Sequence, residues 1–322
     1  FLREEKDVFR QALLHDVPAS FVSEWFVRQV PLLQANKDVT ALVQGMSMHQ
    51  GSLPVQEAAC EALLALTPSV EGQEFKSLYS DEAAWSTMLA TYKDLATRGV
   101  IHSLVQAMTT HSNTSPVVTV CACRILRLLA RLDSNRQAIA EQGGIGAVVL
   151  AMRSQRRVAP VQEQGCRALR NLSVNQANSI SIADQGGIKA VVAAARGHRW
   201  NAKVQKWACW ALGNLAFGNV TNQLSIGDHD GVEGIFASMR EHWGIAAVQQ
   251  AGCGALANLA MNDAIKVTIA DKGGIEIVFQ AMWEHRGSPL VQENGCAAMA
   301  NLAAGSERNQ LSIADKGGIE AL

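Results

Sequence analysis

The chain has 322 residues, of which 48% are hydrophobic and 18% charged, and its formal net charge is -1. This apolar content excludes a disordered chain and is enough for a continuous core. The near-zero charge excludes a global attraction to nucleic acid or acidic membranes, and no apolar run reaches the roughly 20 residues that span a bilayer.

Residues 1–35 hold two amphipathic stretches, Glu4–Leu14 and Phe21–Val30, and are expected to form a helical cap. A repeat array is expected over 36–322. Its first copy, about Val39 to Thr67, carries Pro54-Val55-Gln56 and Cys60. An insertion follows near 68–97, with a polar excursion from Pro68 to Asp81 and an extended helix over Ala83 to Ala96. The chain lacks a signal-peptide pattern, opens at Phe1 and stops at Leu322 inside a repeat, so it reads as part of a longer polypeptide.

The repeat announces itself through glycine pairs at Gly143-Gly144-Ile145, Gly186-Gly187-Ile188, Gly273-Gly274-Ile275 and Gly317-Gly318-Ile319, with degenerate copies at Gly99-Val100-Ile101 and Asp230-Gly231-Val232. The aligned residues Ile101, Ile145, Ile188, Val232, Ile275 and Ile319 are 44, 43, 44, 43 and 44 apart. A fixed period of this size predicts a solenoid. In each unit a short first helix stops at the glycine pair, because glycine adopts the left-handed conformation that ends a helix. A second helix follows, then a third with a broad apolar face. The third helices are predicted at 53–67, 116–130, 159–173, 202–216, 246–260 and 289–303. Small residues at Gly165, Ala208, Gly252 and Gly295 are expected to let third helices approach closely.

Six of the seven cysteines, Cys60, Cys123, Cys166, Cys209, Cys253 and Cys296, share one repeat position, and Cys121 lies two residues from one of them. Equivalent positions in packed layers are roughly 8–10 Å apart. That exceeds the reach of a disulfide, so the thiols are expected to be free, buried core residues in a reducing compartment. His49, His111, His198, His242 and His285 recur at the end of the second helix, where a ring can bond the last carbonyls. One histidine per layer does not make a metal site. No phosphate loop, His-Glu-x-x-His or Gly-x-Ser-x-Gly motif is present, so neither catalytic residues nor a cofactor is expected.

The words Val161-Gln162 with Cys166 to Leu172, Val204-Gln205 with Trp210 to Leu215, Val248-Gln249 with Ala255 to Leu259 and Val291-Gln292 with Ala298 to Leu302 resemble those of the armadillo repeat. A two-helix HEAT array is the competing reading, and the short helix before each glycine pair favours armadillo. The resemblance covers roughly Val39 to Leu322 and implies an all-α, right-handed superhelical α-solenoid with third helices lining a groove.

In importin-alpha-type grooves, an Asn at the place of Asn171, Asn214, Asn258 and Asn301 grips the backbone of an extended peptide through its donor and acceptor. The alternative is that each Asn bonds a neighbouring helix. A Trp partner four residues earlier occurs only at Trp210, so recognition of basic import signals is not implied. The groove reads as graded: Arg124, Arg127, Arg167 and Arg170, then Trp207 and Trp210, then Gly254, Ala257, Ala297 and Ala300. Trp207 suits a ligand contact and interlayer packing equally. The expected function is a cytoplasmic, and also nuclear, protein-interaction scaffold holding an acidic segment with an apolar anchor, with no nucleic acid and no membrane insertion. The alternative is a regulatory or recruiting region attached to an enzymatic module elsewhere.

Overall fold

A computed structural model describes residues 19–69 and 81–315. The stretch Glu4–Leu14, most of the polar excursion and the last glycine pair at Gly317-Gly318 lie outside the described residues. The described residues form 19 helices and no strand. Two compact units divide the chain, 1–138 and 139–322.

In the first unit, the helix Ala19–Ala35 packs on Val39–Met48 and Leu53–Leu66. Phe26 lies against Gly45, where a Cβ would sit 2.0 Å from the ring. A full layer follows: Glu82–Thr97, Val100–His111 and Pro116–Leu129. The second unit stacks second and third helices in pairs: Gly144–Ser154 with Ala159–Leu172, Gly187–Gly197 with Ala202–Ala216, Gly231–Glu241 with Ala246–Leu259, and Gly274–Glu284 with Pro289–Ala303. First helices of nine residues precede the last three pairs, at Gln176–Asp184, Val220–Asp228 and Asp263–Asp271, and Glu307–Asp315 follows them. All six predicted third helices agree with the observed bounds to within one residue.

Each glycine of the recurring pair has its own reason. The first holds φ of 81° at Gly143 and Gly186 and 83° at Gly273, a left-handed conformation costly for other residues. Asp230 adopts it at 58° in the layer that lacks that glycine. At the second glycine, a Cβ on Gly187 would lie 2.8 Å from the Ile182 carbonyl oxygen and 2.4 Å from its Cγ2.

The small third-helix residues do a different job from the one expected. A Cβ on Gly165, Gly252 or Gly295 would lie 2.5, 2.4 or 2.4 Å from Cγ of Met152, Met239 or Met282 on the second helix of the same layer. The glycine therefore receives a methionine inside its own layer. In the Gly187–Gly197 layer both partners change, to Ala195 and Ala208, and in the first unit Met46 stands in phase with Ala59.

The Val-Gln word also gains a physical meaning. Gln249 Nε2 donates to the carbonyls of Met239 (2.8 Å) and His242 (2.8 Å), closing the C-terminal end of the second helix. Gln56, Gln162, Gln205 and Gln292 make the same pair of bonds ten and seven residues back. Thr119 takes this place in the Pro116–Leu129 helix and bonds the Ser115 carbonyl instead. The histidines differ from expectation: Nε2 of His111, His198, His242 and His285 meets the carbonyl of Gln50, Arg156, Arg199 and Trp243, one layer back, rather than its own helix end.

Three outcomes are expected. Gly252→Ala overpacks the layer and costs roughly 1–3 kcal/mol. Combined with Met239→Ala, it should cost clearly less than the two single losses added together, as measured by chemical denaturation; strict additivity would show that the two side chains do not share space. Gln249→Leu strands two buried carbonyls and should cost about 1–3 kcal/mol by the same measurement. Six cysteines are buried and Cys296 is half-buried, and burial pushes Cys123, Cys209 and Cys253 up to about 12. Thiol labelling of the native protein should therefore be slow everywhere except Cys296, and a set of three rapidly labelled thiols would contradict this packing.

Candidate functional site

The third helices pack on one another in sequence across the second unit, from Ala159–Leu172 to Ala202–Ala216, Ala246–Leu259 and Pro289–Ala303. Their outward residues form the candidate surface. Arginines expected to be exposed there are largely covered. Arg167 is only 9% exposed, because its guanidinium lies 4.6 Å from the centre of the Trp207 ring and its Nη1 is 3.4 Å from Glu163 Oε1. Lys206 approaches the same ring at 4.6 Å, so Trp207 is held by two cations. Arg170 stacks on Trp210 at 5.8 Å and donates through Nη1 to Asn171 Oδ1 at 3.2 Å. Long cationic stems bury against aromatic faces in this way.

Trp210 is half-buried because the next layer makes room for it. A Cβ on Gly254 would lie 3.2 Å from Trp210 Cζ3 and 2.7 Å from Asn294 Oδ1. The bare C-terminal part of the surface is thus partly a seat for the indole. Arg124 and Arg127 belong to the first unit, on Pro116–Leu129. Arg124 is half-buried and Arg127 is 5% exposed.

The asparagine column bonds between layers. Nδ2 of Asn214 donates to the Arg170 carbonyl at 3.1 Å, Asn258 to Gly213 at 2.9 Å and Asn301 to Ala257 at 2.8 Å. The donor half of each amide is therefore engaged in the stack. Oδ1 of these three residues accepts no hydrogen bond among the described residues, so an acceptor remains for a partner's N–H. Burial acts first on Arg170, pushing its guanidinium below the ordinary arginine value, and the charge of Arg167 acts in the same direction. Its Nε is buried without a hydrogen-bond partner. The sequence pattern located these residues, but it could not reveal that the arginines lie against the indoles of the following layer.

Among the described residues no group of three or more His, Cys, Asp or Glu could hold a metal ion. No described helix is long and apolar enough to cross a membrane.

The family model described as LRRK2 ARM repeat matches residues 183–315. No curated protein sequence matches the chain. Among solved structures, an engineered protein is similar at 24% identity, with a TM-score of 0.68, over 84% of this chain and 98% of that one. A designed armadillo repeat protein in complex with peptide (KR)4 is similar at 18% identity, with a TM-score of 0.64, over 82% of this chain and 99% of that one. A second designed armadillo repeat protein gives 16% identity and a TM-score of 0.66 over 82% and 99%. These likenesses are at the level of fold, and they agree with the all-helical, layered architecture: the chain has the α-solenoid fold of armadillo repeat proteins.

Proposed function

We propose that the chain is a non-catalytic protein-interaction scaffold whose third-helix face in the second unit holds a partner segment. The observation that carries this reading is Arg170: a cation stacked on Trp210, crowded by Arg167, with a buried Nε that has no hydrogen-bond partner. A carboxylate from a partner, docking on the accessible side of the guanidinium, would relieve the repulsion. The adjoining indoles of Trp207 and Trp210 would take an apolar side chain, and Oδ1 of Asn214, Asn258 and Asn301 would accept from the segment's backbone. The designed armadillo protein that holds (KR)4 supports peptide binding as a use of this fold. The cationic character of the face here favours an acidic segment instead. Seven free cysteines support a reducing compartment, the cytoplasm or the nucleus.

The test is capture of polypeptides by the full chain and by two variants, Trp210→Ala and Arg170→Glu, each first checked for intact helicity. A captured polypeptide should lose affinity by about tenfold or more with Trp210→Ala, as expected for a central aromatic contact. With Arg170→Glu the loss should shrink as salt rises. Unchanged affinity for both variants at low salt would sink this reading.

A further inference from the structure

The turn from second to third helix carries a second surface, away from the third-helix face. Counted from Gln155, His198, His242 and His285, the position two residues earlier holds Arg153, Arg196, Arg240 and Trp283. The position one residue later holds Arg156, Arg199, Trp243 and Arg286. Two residues later stand Arg157, Trp200, Gly244 and Gly287. Every one of these twelve residues is exposed, and the ten that are not glycine are all Arg or Trp. Trp200, Trp243 and Trp283 are 72%, 56% and 67% exposed, although a large aromatic residue ordinarily buries most of its surface. They occupy a different turn position in each of three successive layers and so trace a diagonal across the edge.

Basic residues outnumber acidic ones at these turns, where Glu241 and Glu284 are the acidic residues. Arg196 pairs with Asp230 at 2.5 Å and Arg199 pairs with Glu241. Arg153, Arg156, Arg157, Arg240 and Arg286 make no ion pair among the described residues. At the other end of the second helices, exposed Asp184, Asp228, Asp271 and Asp315 close the first helices. Helix dipoles favour a cation in the last helical turn. They do not account for the arginines and indoles beyond the helix ends. The net charge of -1 therefore conceals a basic, aromatic edge.

Beside Trp243 a slot of about 420 Å³ opens between Gly231–Glu241 and Gly274–Glu284. Met239, Ile277 and Ala281 line its floor, and Arg240, Gln280 and Glu284 its rim. We propose that this edge is a docking site for an acidic polypeptide segment that lays apolar side chains along the tryptophan diagonal and into the slot. The arginines complement its carboxylates. Gln280 and Glu284 offer acceptors for backbone N–H groups, which neither a phosphodiester chain nor a lipid headgroup carries in series. A diagonal suits a linear polymer, whereas a flat bilayer would favour indoles at one common level. The layer spacing of roughly 8–10 Å also matches three residues of a polyproline-II segment, about 9.3 Å.

The test uses the full chain and a fluorescein-labelled random copolymer of glutamate and tyrosine, followed by polarisation. Poly-glutamate, oligo-dT and phosphatidylserine vesicles serve as comparisons. The copolymer should bind more tightly than all three. Trp200→Ala with Trp243→Ala should weaken it by about tenfold or more, as for exposed aromatic anchors that become buried on binding. Arg153→Glu with Arg156→Glu and Arg157→Glu should weaken it most at low salt. In a Trp210→Ala background, which removes the aromatic contact of the third-helix face, both edge variants should still weaken copolymer binding by the same factor, which separates this site from the one proposed above. Absence of copolymer binding at low salt, parental affinity in both edge variants, loss confined to Trp210→Ala, or tighter binding of oligo-dT or vesicles would each overturn the proposal.

Discussion

Stacking short helices side by side buries helix ends, and a buried helix end leaves carbonyls that no backbone N–H can reach. The rest of this structure follows from how those carbonyls are satisfied. Gln56, Gln162, Gln205, Gln249 and Gln292 close the second helices from within their layers. Asn135, Asn222 and Asn309 donate to the ends of the third helices, at Leu129, Leu215 and Leu302. Histidines and the Asn214, Asn258 and Asn301 column reach back one layer. A core of small aliphatic residues could not supply these donors, which is why amide side chains recur at fixed phase inside a chain that is otherwise apolar there.

This constraint bears directly on the candidate surfaces. Asn214, Asn258 and Asn301 serve the stack with one half of the amide, so any partner meets a face already fixed in orientation. Arg170 and Trp210 are likewise held, one on the other, with Gly254 cut back to admit the indole. Binding to such a face requires little ordering of side chains, which lowers the entropic cost of association. At the turn edge Trp243 and Trp283 are exposed, and Trp200 carries the guanidinium of Arg199 4.6 Å from its ring centre while remaining 72% exposed.

The fold was legible because the period is enforced twice, once by backbone geometry at the glycine pairs and once by apolar phase in the third helices. Gly186 and Gly187 announce a left-handed stop and a close carbonyl, and few other residues tolerate either. The candidate surface was legible only in part. Repeat phase identified Arg167, Trp207 and Asn214, but phase describes one layer and these residues act between layers. The arginines therefore read as exposed until the indoles of the next layer were placed over them. The edge tryptophans were missed for a related reason: they drift by one to three positions from layer to layer, so no single column contains them.

The pairing of Met152 with Gly165, Met239 with Gly252 and Met282 with Gly295 is specific to side-chain volume and lies wholly inside a layer. The asparagine and histidine staples between layers, by contrast, end on backbone carbonyls, which every residue possesses. The two kinds of contact set the grain along which the array can be rearranged. Whole layers can be duplicated, deleted or transplanted without loss of the staple, whereas a crossover that joined a methionine-bearing second helix of the second unit to the third helix carrying Ala208 would place a Cβ where the methionine now meets a bare glycine.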